Sequence, residues 1–247
     1  MFKEPIRQPR AIAVIPARGG SKRLPRKNYL PFEGRPLIAW TIEAALRSKV
    51  FDRVVVSTED INIADIGRSA GAEVPVLRDR AFDDHTPVSE ATCVTLEQLG
   101  LADGRDYDVV VQLMCNCPLR TAQDIVDAMS AFNKAKVQFQ ISCFRYGWMN
   151  PWWASTLDAN GTPTPLFANM FAARSQDQPT LYCPSGAIWI ANVPSLMASR
   201  TFYGPGHVFF PISWQSAVDI DDADDLEMAK TLFALRTRSQ LPNATEH

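Results

Sequence analysis

Residues 11–28, with the sequence AIAVIPARGGSKRLPRKN, constrain the fold of this chain more than any other stretch. They begin with a run of small and β-branched apolar residues at positions 11–15, which is typical of a strand buried on both faces of a sheet. Pro16 cannot donate a hydrogen bond to a neighbouring strand, so we expect the strand to end there. A strand buried on both faces needs a covering layer on each side, and this favours an α/β fold.

The loop after this predicted strand combines two glycines with a high density of positive charge. Gly19 and Gly20 permit a sharp turn in which backbone N–H groups point inward. Five cationic side chains fall within ten residues, namely Arg18, Lys22, Arg23, Arg26 and Lys27. The spacing matches neither the P-loop nor the dinucleotide-binding pattern. A solvated basic loop is the simpler alternative, but converging amides and cations after a buried strand predict a phosphate-binding loop.

The bulk properties exclude several classes of protein. The 247 residues suffice for one large α/β domain or a domain with an insert, and the formal net charge is −2. Because the positive charge is local, we expect no nucleic-acid partner. No apolar run approaches the roughly 18 residues of a membrane helix, and the N-terminus lacks the apolar core of a signal peptide, which predicts a cytoplasmic protein without a membrane partner. The five cysteines are scattered and are expected to be structural thiols.

Predicted strands and helices alternate along most of the chain. Strands are predicted at residues 11–15, 52–57, 73–77, 107–113, 137–144 and 185–190. Helices are predicted at residues 36–48, 61–70, 90–99, 122–133, 194–199 and 223–235, with a frayed tail beyond. This alternation predicts a mostly parallel sheet with helices on both faces, and ligands of such sheets bind at the carboxyl ends of the strands.

Residues 146–182 interrupt the alternation. They hold Trp148, Trp152 and Trp153, several prolines and no clear helical pattern. An irregular loop that covers one end of the core is one interpretation. A high density of aromatic residues outside regular structure also marks interfaces between proteins, which makes this segment a candidate oligomer contact.

Asp219 and Asp221 form the second candidate site. Residues two apart in an extended segment point to the same side, and two carboxylates on one side suit a hard divalent cation. The neighbouring Asp222, Asp224 and Asp225 lie at the start of a predicted helix, where negative charge is favoured without any metal. That explanation fits Asp219 less well, because Asp219 precedes the helix.

Two of these segments resemble a known family. IPARGGSKRLPRKN is similar to the first signature of the CMP-sialic acid synthetases, which are cytidylyltransferases that activate nonulosonic acids with CTP, and DIDDADDLEMAK resembles their closing motif. The resemblance implies a Rossmann-like nucleotidyltransferase core over residues 8–237 and a flexible tail at 238–247. It also implies that residues 146–182 are a β-rich dimerisation insert, which in a homodimer reaches toward the active site of the partner.

The resemblance also implies roles for individual residues. The expected nucleotide-binding residues are Arg18, Gly19, Gly20, Ser21, Lys22, Arg23, Lys27, Asn28, Arg78 and Ser89. The expected catalytic residues are Arg18, Lys27 and Asp221, and the expected ligands of Mg²⁺ are Asp219 and Asp221. The expected acid-sugar contacts are Gln112, Arg120, Arg174 and Gln176.

The sequence departs from the family pattern at two places. Met114 stands where the family pattern Q-P-T-S-P-L-R has Gln, and Ser185 replaces the Asn of N-G-A-I-Y. Gln112 is expected to substitute for the missing Gln, because it lies two residues before Met114 and would point the same way in an extended strand.

The expected reaction joins CTP and a nine-carbon α-keto acid sugar to give a CMP-sugar and pyrophosphate. Sialic, legionaminic and pseudaminic acids are all candidates. One alternative is CTP-dependent activation of another acid sugar, such as the eight-carbon keto-deoxyoctulosonate. A second is an inactive protein that only binds a sugar nucleotide, although the basic loop and the acidic pair both look intact.

Overall fold

A computed structural model of the chain describes residues 9–81, 83 and 85–240. The strands in these residues are β1 Ala11–Pro16, β2 Pro31–Phe32, β3 Arg35–Pro36, β4 Arg53–Ser57, β5 Val109–Gln112, β6 Phe139–Arg145, β7 Ser155–Leu157, β8 Pro163–Pro165, β9 Tyr182–Asn192 and β10 Val208–Pro211. Six of them form the central sheet in the order β10–β6–β9–β5–β1–β4, and the other four form two short hairpins.

The α-helices are α1 Leu37–Ser48, α2 Ile61–Ser69, α3 Val88–Gln98, α4 Ala122–Ala135, α5 Ala168–Phe171, α6 Val193–Ser199, α7 Trp214–Ala217 and α8 Ala223–Gln240. Thr121 caps α4, and its hydroxyl and the carboxylate of Asp124 form a reciprocal capping box. Asp60 caps α2 by accepting hydrogen bonds from the first backbone N–H groups of that helix. No helix among the described residues has the length and apolar character needed to span a bilayer.

The central sheet is mostly parallel, as predicted. β1 lies between β4 and β5 and is parallel to both, and β10 is parallel to β6. β9 alone runs antiparallel to its neighbours in this sheet, β5 and β6. The reversal follows from the connection, because the chain leaves β6, passes through residues 146–181 and returns beside the same strand without a crossover helix.

Helices cover both faces of the sheet, which also confirms the predicted architecture. On one face, Ala13 and Ile15 of β1 pack in a cluster with Ile42 of α1 and Ile125 of α4. On the other face, Val14 of β1 packs in a cluster with residues of α3 and α6. The alternation of β1 side chains between two apolar clusters explains why its sequence is apolar throughout.

A third apolar cluster fixes the segment that carries the acidic pair. Val218 and Ile220 are buried in it together with Phe32 and Leu37, and Phe233 of α8 packs against them. Since Val218 and Ile220 point into this cluster, the alternating residues Asp219 and Asp221 are left on the other side of the chain.

Two predicted elements differ from the structure. Residues 73–77 do not form a strand, and only Glu73 makes a bridge, to Val55. Pro75 lacks the N–H group that a continuing ladder requires. The last helix does not end at residue 235 but continues to Gln240, and Arg236 Nη1 donates to Leu119 O at 2.6 Å, which ties its last turns to the domain. The predicted flexible tail therefore begins in a helix, and residues 241–247 lie outside the described residues.

Residues 146–181 contain more regular structure than the sequence suggested. The 3₁₀ turns Pro151–Trp153 and Ser175–Asp177, the β7–β8 hairpin and the short helix α5 all lie here. Trp152 and Phe167 pack edge to face with ring centroids 5.1 Å apart, whereas Trp148 is 84% exposed. The assignment of residues 146–182 as a dimerisation insert stays a prediction.

Candidate active site

The carboxyl ends of β1 and β5 border a cavity with a volume of about 330 Å³. Its walls come from the basic loop after β1, from residues within 78–81, 83 and 86–91, from the residues after β5 and from the segment before α8. The predicted site residues on these walls are Arg18, Lys27, Asn28, Arg78, Asp219 and Asp221. The fold thus brings both motifs and Arg78, which are far apart in sequence, to one cavity.

Asp221 is held by two cations of the basic loop. Lys27 Nζ donates to Asp221 Oδ1 at 2.7 Å, and the guanidinium of Arg23 donates to Asp221 Oδ2. Partial burial on its own raises the pKa of Asp221, but the hydrogen bonds and charges of Lys27 and Arg23 outweigh it and hold this pKa below the usual value. Asp221 is therefore a carboxylate at neutral pH.

Asp219 lies on the same wall in a different environment. Its side chain is open to solvent, yet the surrounding protein displaces enough water to raise its pKa, and the charge of Asp221 acts in the same direction. Asn116 Nδ2 lies 3.5 Å from Asp219 Oδ2, and Ile220 N donates to Asn116 O at 2.8 Å. Asn116 thereby links the end of β5 to the acidic segment.

The acidic pair fits a cation shared with a ligand. Mg²⁺ is commonly held by one or two carboxylates while water and substrate phosphates complete its shell. Among residues 9–81, 83 and 85–240, no group of three or more His, Cys, Asp or Glu side chains is placed to hold a metal ion. Two carboxylates would leave most of the coordination shell of such a cation to water and to ligand oxygens.

The peptide between Arg18 and Gly19 is held from both sides. Asn28 Nδ2 donates to Arg18 O at 2.8 Å, and Gly19 N donates to Glu59 Oε1 at 2.6 Å. A Cβ atom on Gly19 would lie 2.5 Å from Asp60 Oδ2, so this close approach requires glycine. The N–H group of Gly19 points to Glu59 and not into the cavity, contrary to the expectation that it faces a phosphate.

The remaining loop residues lie outside the cavity wall. Gly20, Ser21, Lys22 and Arg23 do not line the cavity, and Lys22 and Arg23 are exposed. Arg23 nevertheless reaches the cavity wall through its contact with Asp221, and the nucleotide contacts of these four residues stay predictions. Lys27 begins a short 3₁₀ turn, Lys27–Tyr29, which the sequence did not indicate.

Arg78 is a nearly buried cation at the β4 side of the cavity. Its Nη1 donates to Ser57 O and Ser57 Oγ at 2.8 Å each, and its Nη2 donates to Glu59 Oε2 at 3.3 Å. Burial lowers the pKa of Arg78, and the charge of Glu59 opposes that change. Ser89 is buried in the first turn of α3 and does not line the cavity, although Val88 beside it does.

Gln112 does not take the place of the missing family Gln at the cavity. Its side chain is fully buried, its Oε1 accepts from Thr92 Oγ1 at 2.7 Å, and its Nε2 lies 3.9 Å from Met114 Sδ. β5 ends at Gln112, so Met114 lies in the irregular segment beyond the strand, and the two side chains contact each other. Met114 lines the cavity.

The other expected acid-sugar contacts also lie away from the cavity wall. Arg120 is buried, and its Nη1 donates to Met114 O at 3.1 Å and to Ala187 O at 2.7 Å. Its Nε and Nη2 have no hydrogen-bond partner among the described residues. Loss of hydration lowers the pKa of Arg120. Arg174 is exposed and pairs with Asp177 at 2.8 Å, and Gln176 is exposed beside it. Within one chain the structure does not bring these side chains to the cavity.

Two residues that contribute to the site were not predicted, namely Glu59 and Asn116. Both lie shortly after strands of the central sheet, Glu59 two residues after β4 and Asn116 four residues after β5. Their position in the sequence could have identified them, because side chains just beyond the carboxyl ends of parallel strands converge on one edge of the sheet.

A mostly parallel sheet with a basic loop and a pair of carboxylates at its carboxyl edge defines a nucleotidyltransferase site of the α/β class. Comparison with known proteins agrees. The cytidylyltransferase family model matches residues 12–150, and the chain belongs to this family.

Individual relatives cover nearly the whole chain. The pseudaminic acid cytidylyltransferase of Campylobacter jejuni is 31% identical over 92% of this chain and 98% of its own length. The CMP-N,N'-diacetyllegionaminic acid synthase of Legionella pneumophila is 32% identical over 92% of this chain and 97% of its own length. The solved structure of a CMP:2-keto-3-deoxy-manno-octonic acid synthetase with CTP superposes with a TM-score of 0.67 at 17% identity, over 92% of this chain and 99% of that one, which supports the fold.

Proposed function

We propose that this chain transfers CMP from CTP to a nonulosonic acid and releases pyrophosphate. The observation that carries the proposal is the meeting of Lys27 with Asp221 on the wall of one cavity, which joins the two motifs most specific to the resemblance. The relatives named for pseudaminic and legionaminic acid support the substrate class, because they align over nearly their whole length.

In the proposed reaction, a hydroxyl oxygen of the acid sugar attacks the α-phosphorus of CTP. A bond forms between that oxygen and phosphorus while the bond from phosphorus to the pyrophosphate oxygen breaks. Negative charge increases on the departing pyrophosphate, and Arg18 and Lys27 are placed to stabilise it. The hydroxyl proton passes to solvent water. Such a reaction depends mainly on positioning and electrostatics, so we assign no side chain as a general base.

We propose Asp219 and Asp221 as the protein ligands of Mg²⁺. When bound, Mg²⁺ would neutralise phosphate charge and orient the triphosphate. Lys27 and Arg23 hold Asp221 in the structure, so both cations would exchange this carboxylate for phosphate oxygens when the nucleotide binds. The acidic pair and the basic loop thus act as one charge-balanced unit.

We also propose a homodimer in which residues 146–182 of one chain approach the cavity of the other. Arg174 and Gln176 lie on this segment, are exposed and do not line the cavity of their own chain. Contact with the partner would bring a cation and an amide to the acidic sugar. A cytoplasmic location fits the free thiols of all five cysteines, which persist in reducing compartments.

A panel of acid sugars tests the substrate class. The purified chain would be incubated with CTP, Mg²⁺ and either a nine-carbon nonulosonic acid or eight-carbon keto-deoxyoctulosonate, and pyrophosphate release would be followed. We expect turnover with at least one of the sialic, legionaminic and pseudaminic acids and little with the eight-carbon acid. Preference for the eight-carbon acid would favour that alternative, and CTP binding without turnover of any acid would favour an inactive binding protein.

A further inference from the structure

We infer that Glu59 is a positioning residue of the nucleotide site, which holds the basic loop and Arg78 in one fixed arrangement. The inference rests on the proposed function, because it assigns Glu59 to the CTP end of the same cavity. Glu59 lies two residues after β4, at the carboxyl edge of the sheet. A carboxylate beside a predicted polyphosphate site is unexpected, since it would repel the ligand unless its charge is already neutralised.

One oxygen of Glu59 holds the basic loop. Oε1 accepts from Gly19 N at 2.6 Å, while Asn28 Nδ2 donates to Arg18 O at 2.8 Å. Arg18 O and Gly19 N belong to the same peptide unit, so Glu59 and Asn28 fix that unit from its two sides. Because a peptide unit is planar, holding both of its polar groups sets its orientation and limits where the Arg18 side chain reaches.

The other oxygen of Glu59 holds Arg78. Oε2 lies 3.3 Å from Arg78 Nη2, while Ser57 accepts from Nη1 of the same guanidinium. A buried guanidinium needs a counter-charge and filled hydrogen bonds, and Glu59 supplies the counter-charge and one of the hydrogen-bond acceptors. Arg18 and Arg78 line the same cavity with like charges, so the carboxylate between their elements also lowers the repulsion between them.

The two contacts indicate that Glu59 holds other protein groups in position and does not itself bind the nucleotide. Both of its oxygens are occupied by protein donors, and its side chain does not line the cavity. Removing the carboxylate would free the loop at Gly19 and leave Arg78 without its counter-charge. Because both consequences fall on the basic loop and Arg78, which are expected nucleotide-binding residues, CTP binding should weaken more than acid-sugar binding.

The test compares Glu59→Ala and Glu59→Gln in the full chain. Calorimetry would give the Kd of CTP with Mg²⁺, and initial rates would give both Michaelis constants and turnover. We expect Glu59→Ala to weaken CTP binding by about tenfold or more, the effect of one lost charge-assisted hydrogen bond. Glu59→Gln keeps an oxygen for Gly19 but loses the charge that attracts Arg78, so its effect should be intermediate.

Two comparisons separate positioning from a general structural role. Glu73→Ala is the matched control, because Glu73 pairs with Arg53 of β4, the strand that Glu59 follows, at 2.7 Å on the protein surface and away from the cavity. It should leave the Kd for CTP unchanged. The double variant with Arg78→Ala should lose less affinity than the sum of the single variants, because Glu59 acts partly through Arg78.

The outcomes are distinguishable. An unchanged Kd for CTP in both Glu59→Gln and Glu59→Ala would overturn the inference. Equal increases in the Michaelis constants for CTP and for the acid sugar would also overturn it. If Glu59→Ala does not fold, Glu59→Gln decides the question alone. Failure of the unaltered chain to bind CTP would contradict the proposed function itself, and the Glu59 assignment with it.

Discussion

Lys27 Nζ lies 2.7 Å from Asp221 Oδ1, although 194 residues separate the two side chains in the sequence. Lys27 belongs to the basic loop after the first strand, and Asp221 precedes the last helix. The fold closes this distance because Ile220 is buried against the residues around β2, β3 and α1, which follow the basic loop. The contact balances charge between the two motifs before any ligand is present.

Replacing Lys27 by Ala should impair the step in which pyrophosphate leaves. A charge-assisted hydrogen bond contributes about 1.5–3 kcal/mol, so we expect a loss of roughly 10- to 150-fold, mainly in turnover. The Michaelis constant for the acid sugar should change least, since that substrate lies beyond the α-phosphate. Steady-state kinetics with both substrates varied would measure this.

Lys134→Ala is the matched control for Lys27→Ala. Lys134 is exposed in the last turn of α4 and does not line the cavity, so its kinetics should equal those of the unaltered chain. Unchanged CTP kinetics in Lys27→Ala, with only the acid-sugar constant altered, would mean that the nucleotide has been placed at the wrong end of the cavity.

Asp221→Asn should lower turnover while the fold is kept. The carboxamide retains the shape but removes the charge that the proposed Mg²⁺ requires, and we expect a loss on the order of 100-fold, comparable to losing one preorganised electrostatic contact. Turnover measured at increasing Mg²⁺ concentration should depend less on the metal in Asp221→Asn than in the unaltered chain. Asp222→Asn is the control, because Asp222 only caps α8 and Asn also caps helices well. Equal activities of the two variants would contradict the metal assignment.

Gln112→Ala should destabilise the protein rather than alter the acid-sugar Michaelis constant. The change leaves Thr92 Oγ1 without its buried acceptor, which costs about 1–3 kcal/mol of unfolding free energy. Denaturant unfolding would measure the loss, and Thr92→Val removes the same hydrogen bond from the other side. A raised Michaelis constant for the acid sugar in Gln112→Ala, with an unchanged free energy of unfolding, would instead support Gln112 as an acid-sugar contact.

The cysteines should differ sharply in reactivity toward iodoacetamide at neutral pH. Burial raises the pKa of Cys115 to about 11 and raises that of Cys117 as well, so few thiolates form there although Cys115 borders the cavity. Cys183 is only partly buried and should be labelled first, as peptide mass analysis would detect. Cys183→Ser should abolish the early labelling, and rapid labelling of Cys115 would contradict the buried environment described for it.

The chain should be a dimer at micromolar concentration, as light scattering would measure. Trp148 is 84% exposed and Met149 is 65% exposed on the predicted insert, and such side chains are usually covered by a partner. Trp148→Ala should weaken the dimer, whereas Trp214→Ala, which is exposed outside the insert, should not. A monomeric unaltered chain would refute the homodimer.

Much of the fold could be predicted because local patterns and tertiary structure agree. The apolar run of β1 indicates burial on both faces, and Thr121 with Asp124 marks the start of α4. The prediction failed at residues 73–77, where Pro75 interrupts an otherwise strand-like sequence. It also missed the antiparallel direction of β9, because direction depends on the path of the connection and not on the residues of the strand.

The site was predictable where a motif carries its own chemistry. The basic loop and the acidic pair could be recognised from charge and spacing, and both line the cavity through Arg18, Lys27, Asp219 and Asp221. Glu59 was not recognisable, because a single carboxylate after a strand has no distinctive neighbours in sequence. The buried hydrogen bond of Gln112 to Thr92 of α3 was not predictable either, because it joins residues from separate elements.

The most direct test of the account is the fate of CTP followed by phosphorus NMR with the unaltered chain, Mg²⁺ and a nonulosonic acid. Attack at the α-phosphorus predicts equal amounts of pyrophosphate and a CMP-sugar phosphodiester, both absent when the acid is omitted. Formation of CDP and inorganic phosphate, or unchanged CTP with every acid of the panel, would contradict the assignment of this chain as a nonulosonic acid cytidylyltransferase.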